Sequence, residues 1–233
     1  MRVLVWHGWL LDGTGSNVYT AKVAEVWRRS GHDVVLVCQE RHVDRFPFVD
    51  AVGVVADGVV SEVESTGAPP EEGSVVLLRP DIGALLPVFV FDEYEGFEPK
   101  RFVELSDEEL NAYLERNVRA LAAAAERFPP DVVVAGHVVP GPVIARRAIG
   151  AGTYVAKVHG SDLEYAVRLQ PRYRELAREG LEGARAISGA SHDVLRRAVE
   201  LVPGVADRIR VIPPGVDIER WQPRPRREAL LEL

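Results

Sequence analysis

Short apolar runs recur along the chain, each followed by a polar break and then by a stripe of helical period. Val3 to Trp6 is the first such run. Four apolar residues without alternation predict a buried strand. His7 to Gly15 is a polar, glycine-containing loop. From Ser16, read as an N-cap, Val18, Ala21, Val23, Ala24 and Val26 fall on one broad apolar stripe and predict a helix. "SGHD" (Ser30 to Asp33) closes that helix at a glycine, and "VVLVC" (Val34 to Cys38) predicts the second buried strand. A strand-helix-strand opening of this kind predicts a parallel, right-handed crossover.

The next stretch is less regular. Val52 to Val55 and Val75 to Leu78 read as strands, separated by an acidic Pro/Gly loop, "ESTGAPPEEG". Ser106 and Glu109 have capping-box spacing and open a long helix that ends near Phe128. Strands are then predicted at Val132 to Ala135, Thr153 to Val158, Ala184 to Ile187 and Ile209 to Ile212. Helices are predicted between them at Gly141 to Ile149, from Pro171 to about Glu182, and at Ser191 to Leu201. This alternation predicts an α/β fold with a doubly wound, mostly parallel sheet of Rossmann-like type.

Composition narrows the function classes. The 233 residues suffice for one α/β domain with a sizeable core, and the 47% hydrophobic content is ordinary for a globular chain. A net charge of −7 argues against a nucleic-acid partner, and "RPRR" (Arg224 to Arg227) is too short to reverse that. Cys38 is the single cysteine, so no internal disulfide is available. No apolar run approaches the ~18 residues of a spanning helix, so the expectation is a cytoplasmic protein without a transmembrane segment.

Ligands of open parallel sheets bind beyond the carboxyl ends of the strands. Three of the six histidines fall there: His7 after the first strand, His137 after "VVVAG" and His159 after "YVAKV". One alone reads as a loop histidine bonded to a carbonyl, but three on one edge point to a site. A metal would need three convergent ligands, and neither H-E-x-x-H nor C-x-x-C is present, so no metal residues are assigned. The alternative is a histidine facing a polyhydroxylated substrate as hydrogen-bond partner or base. "HGSD" adds Gly160, which allows close backbone approach, and Ser161 and Asp162, which can accept from hydroxyls or cap a helix. In "DGTGSN", Gly13 and Gly15 match G-x-G, but Val18 holds the third glycine's place and the dinucleotide fingerprint fails. Glycines entering a helix still offer an anion site, or simply a tight loop. Glu40 ends the second strand, where a ribose-binding acid would stand. "FDEYEGF" (Phe91 to Phe97) can line a pocket or cover the sheet edge, and cover is the preferred reading.

In order, "SGHDVVLV", "PDVVVAGH", "VAKVHGSD", "AISGASHDVLRRAV" and "IRVIPPGVDIERWQP" resemble glycosyltransferase family 4, from Met1 to about Pro223. The resemblance implies the N-terminal, acceptor-side half of a retaining GT-B enzyme, with residues 1–218 as a Rossmann-like domain and 219–233 as the start of an interdomain linker; Trp221 reads as an anchor for that exit segment or simply as a buried aromatic. It implies transfer of a sugar from a nucleotide diphosphate sugar to an acceptor hydroxyl, with no cofactor and no catalytic metal. His159 takes the place of the family's active-site histidine. Gly13, Gly15 and Ser16 lie in the loop that approaches donor phosphates and acceptor, and His137 falls at a strand-end position often polar in the family. Ser188 lies where the chain turns back toward the second domain. Two departures are "GTG" for two adjacent glycines, and Pro214 where the family often has Asn. The paired glutamates of a donor domain have no match beyond the chance spacing of Glu64 and Glu72, so that domain is expected to lie outside this chain and the chain alone to be inactive. A single-domain metal-dependent hydrolase and a free carbohydrate-binding module are the competing readings.

Overall fold

The apolar runs assemble into one twisted sheet. A computed structural model of the protein describes residues 1–67, 72–90, 93–218, 222–223 and 225. Its elements are β1 (Arg2–Trp6), α1 (Gly15–Arg29), β2 (Asp33–Val37), β3 (Ala51–Ala56), β4 (Val59–Val60), β5 (Glu64–Ser65), β6 (Val75–Pro80), β7 (Leu85–Val88), β8 (Glu98–Arg101), α2 (Asp107–Arg127), β9 (Val132–Gly136), α3 (Gly141–Ile149), β10 (Tyr154–Val158), α4 (Pro171–Gly183), β11 (Ala186–Gly189), α5 (His192–Leu201) and β12 (Ile209–Val211).

The strand order is β12-β11-β10-β9-β1-β2-β6-β3-β4, with β5 also on β3. Pairing is parallel throughout except where β4 and β5 return antiparallel to β3. From β1 the sheet grows one way through β2 and β6 and the other way through β9 and β10, so the β1/β9 boundary is the topological switch point. The α/β doubly wound, Rossmann-like prediction therefore holds.

α2 to α5 contribute to one core cluster, and α1 packs with β1, β2 and β6 in the other. The predicted capping box forms: Ser106 N–H donates to Glu109 Oε2 at 2.7 Å, and Glu109 N–H to Ser106 Oγ at 3.2 Å. α2 is tied to β1 by the buried Trp6 Nε1–H, which donates to Asn117 Oδ1 at 3.1 Å. α4 seats on α3 through Gly180, where an added Cβ would lie 2.7 Å from the Val143 nitrogen.

The structure corrects the reading of α1. The helix begins at Gly15 after Thr14, so Ser16 is a helical residue and not the N-cap. Its buried face is Asn17, Thr20, Ala21 and Ala24, while Val18 and Val26 are each 48% exposed. Small residues let the helix approach the sheet, and its two buried polar side chains are held by a buried histidine, as described below. The sequence reading also missed β4, β5 and the two-stranded sheet of β7 and β8, all too short to carry periodicity. A π-helical turn, Leu163–Val167, was likewise not anticipated.

After β12 the chain runs from 212 to 218 without regular structure, and Pro214 to Ile218 form one wall of an 890 Å³ groove against α1. Trp221, expected to anchor the exit segment, and most of 219–233 lie outside the described residues. No described helix is long and apolar enough to cross a membrane.

Candidate active site

β1, β9 and β10 are neighbours and parallel, so His7, His137 and His159 leave the sheet at one edge, beside the switch point. The rings form a row. His7 and His137 have centroids 6.5 Å apart, and His137 and His159 have centroids 4.6 Å apart.

Their environments differ. His7 is buried with both ring nitrogens engaged: Nε2 lies 2.8 Å from Asn17 Oδ1 and Nδ1 lies 3.2 Å from Thr20 Oγ1, both on α1. Burial lowers its pKa to about 4, against the raising effect of the Asn17 bond. His137 is only 2% exposed, and neither ring nitrogen has a hydrogen-bond partner among the described residues. Its backbone sits at φ +67°, an uncommon left-handed conformation for a side-chain-bearing residue, fixed by its N–H donating to the Lys157 carbonyl at 2.7 Å. Burial first, then repulsion from His7, pushes its pKa well below the usual value. His159 packs between His137 and the edge of Tyr19, whose centroid is 5.8 Å away. Burial, followed by repulsion from His137, lowers its pKa to about 2. All three imidazoles are thus neutral at pH 7.

The "HGSD" residues separate into two roles. Ser161 borders the pocket with His159. Asp162, expected to meet substrate hydroxyls, is fully buried and accepts from the Val138 and Gly160 backbone amides, the latter at 2.9 Å. Its oxygens clamp the turns after β9 and β10, and its Oδ2 is 3.8 Å from His137 Nδ1, beyond a hydrogen bond. Gly160 serves the same turn at φ +122°. Gly13 and Gly160 lie outside the pocket lining, whereas Gly15, Ser16, His137 and His159 are within it. Glu40 is also structural: one oxygen accepts from Leu11 N–H at 3.1 Å, the other from Arg41 and His42 N–H.

The pocket in front of the histidines measures about 420 Å³. Sequence reasoning missed its floor, Trp9 and Phe89. Trp9 is pinned by Nε1–H donating to the Pro87 carbonyl at 2.8 Å, and Phe89 stacks on Phe102 at 4.8 Å. Both rings face His137, with centroids 4.6 and 5.0 Å away. The only signal for Trp9 was its place in the loop after β1. Tyr94 also lines the pocket, so "FDEYEGF" contributes to the site and is not merely edge cover; Phe91 and Asp92 lie outside the described residues.

The residues do not suit a three-histidine metal centre. His7 spends both nitrogens on α1, and among the described residues no group of three His, Cys, Asp or Glu could hold a metal ion. The hydrolase reading is not favoured.

Comparison with known proteins bears on the fold and the family. No curated protein sequence matches the chain. Among solved structures, sucrose-phosphate synthase from Thermosynechococcus elongatus aligns over 100% of this chain and 52% of its own, at 13% identity and TM-score 0.54. Anabaena HepE in complex with UDP and glucose aligns over 100% and 49%, at 12% identity and TM-score 0.54. An E. coli trehalose-6-phosphate protein bound with UDP-2-fluoro glucose aligns over 100% and 54%, at 12% identity and TM-score 0.53. These likenesses concern the fold, and the chain spans about half the length of each structure. The sequence pattern of the glycosyl transferase 4-like domain matches residues 14–215, from the loop before α1 to the turn after β12. The chain belongs to the glycosyl transferase 4-like domain family and has the Rossmann-like fold of a GT-B glycosyltransferase domain.

Proposed function

We propose that this chain is the acceptor-side half of a retaining glycosyltransferase, which moves a sugar from a nucleotide diphosphate sugar to an acceptor hydroxyl. The observation that carries the reading is His159. It follows β10 at the carboxyl edge of the sheet and borders a pocket beside the switch point, within a chain whose family match spans residues 14–215. In the reaction the acceptor oxygen bonds to the anomeric carbon as the bond from that carbon to the diphosphate oxygen breaks. The hydroxyl proton leaves with the departing phosphate.

A neutral His159 has little affinity for a proton, so its contribution is a hydrogen bond that orients a hydroxyl at the reacting centre. Gly15 and Ser16 bring the N-terminus of α1 to the pocket mouth, where free amides and the helix dipole favour the donor diphosphate. The nucleotide would be gripped by a second domain, joined through the segment after residue 218, and no cofactor or metal enters the scheme.

The chain alone is expected not to turn over nucleotide sugars. Joined to a donor domain it should, and His159→Ala should then lower the rate by about 100-fold or more while nucleotide affinity is unchanged. Robust transfer by the isolated chain would overturn the half-enzyme reading. Undiminished turnover in the variant would remove His159 from the mechanism.

A further inference from the structure

Resting on that acceptor-side reading, we infer that the pocket selects an uncharged, polyhydroxylated acceptor with one apolar ring face, and that His137 reads a hydroxyl of it. The first support is charge. Among the described residues the pocket lining contains no Lys, Arg, Asp or Glu. Of the charged groups on the neighbouring turns and strand, Asp162 clamps two backbone amides, and Lys157 lies outside the lining, its buried Nζ 4.7 Å from the centroid of the Tyr19 ring. A phosphate or carboxylate entering this lining would lose its water and meet no counter-charge except the half-charge of the α1 N-terminus, which the donor diphosphate already claims.

The second support is the pair of orphaned nitrogens on His137. Buried polar atoms are overwhelmingly hydrogen-bonded, so an imidazole with neither nitrogen paired, in the wall of a pocket, is missing its partner. A neutral imidazole carries one donor and one acceptor nitrogen. A hydroxyl, being both donor and acceptor, can pair with a ring nitrogen of His137 whether that nitrogen is bare or protonated, whereas a dianionic phosphate only accepts and is repelled by a bare nitrogen. The strained φ of His137 aims a side chain that no internal bond holds, and Lys157 and Asp162 fix the backbone around it. The third support is the floor. Phe89, half-buried and stacked on Phe102, presents rigid aromatic surface against which the C–H face of a sugar or cyclitol can lie, and the buried Trp9, pinned by Pro87, backs it.

The test uses the 233-residue chain and the imidazole C–H resonances of His137 and His159. Phenyl glucoside and phenyl galactoside would be titrated alongside glucose 6-phosphate and galactose 6-phosphate. The neutral glycosides are expected to shift both histidines and to bind at least about 10-fold more tightly than the phosphates. His137→Phe should weaken glycoside binding about 10-fold, and His137→Gln, which retains a donor and an acceptor, should restore much of it. Phosphates that bind equally or better at the same resonances would overturn the neutral-acceptor inference and leave the acceptor-side reading standing. If no sugar moves these resonances, both fall. If the Phe and Gln variants bind the glycosides alike, His137 does not read a hydroxyl.

Discussion

His7 and His137 stand 6.5 Å apart at the ends of adjacent parallel strands, nearly equally buried, and burial keeps both neutral. They nevertheless do opposite things. His7 spends its two nitrogens on Asn17 and Thr20 and so fastens the first turns of α1 to the sheet edge. His137 spends neither, its ring being packed among Trp9, Phe89 and His159 and its backbone N–H bonded to the Lys157 carbonyl. Burial and residue type are therefore poor guides to function at this edge. What distinguishes these two histidines is whether their polar atoms already have partners, and the role proposed for His137 rests on that difference.

The largest effect expected from this difference is on stability. His7→Ala removes both bonds to α1 and leaves a cavity among Trp9, Gly136 and the helix, at a cost of about 3 kcal/mol. Urea unfolding measures it, and a loss below 1 kcal/mol would mean that α1 does not depend on His7.

Acidification comes next. The folded pKa of His7, about 4, lies below its ordinary 6.5, so the unfolded chain takes up more protons as pH falls. Stability is then retained above pH 6.5 and lost as pH drops from 6.5 toward 4, with His7 contributing about 1.5 kcal/mol of loss between pH 6.5 and 5. His137, lowered in the same direction, steepens the slope, and His137→Phe should flatten it in part. A midpoint that does not move between pH 7 and 5 would contradict neutral, buried imidazoles.

Lys157 extends the comparison to a cation. Its Nζ is buried without a hydrogen-bond partner among the described residues, covered by the face of Tyr19, and burial lowers its pKa. Lys157→Met keeps the stem and removes the desolvated charge, so stability should rise by about 1 kcal/mol. A loss of that size would instead show that the contact with Tyr19 outweighs desolvation.

These contrasts also mark where the sequence was legible. Unalternating runs such as Val3 to Trp6 and Val132 to Ala135 announced a parallel sheet, because a strand covered on both faces has no polar side to show. The strand-end rule then places His7, His137 and His159 together from the sequence alone. The partners of those histidines stayed hidden. Asn17 and Thr20 look like the polar side of α1, yet they form its buried face, since what they satisfy lies ten and thirteen residues back in the chain. Asp162 looked like a ligand group for the same reason: its use is set by the amide of Val138, 24 residues away. Trp9 and Phe89 meet only through tertiary packing, and neither stands in a periodic pattern.

The smallest expected change is the most discriminating. His137→Phe deletes two nitrogens that bond nothing among the described residues and keeps an aromatic ring among Trp9, Phe89 and His159. No hydrogen bond is lost, and the desolvation of two polar atoms is relieved. Against this stand the slightly larger ring and a positive φ that Phe tolerates less readily than His. The opposing effects leave a net change within about 1 kcal/mol in either direction, whereas His7→Ala is severely destabilising. If His137→Phe instead lost more than 2 kcal/mol in urea unfolding, His137 would belong with His7 as scaffold, and the row of histidines would be one structural unit with only His159 facing a ligand.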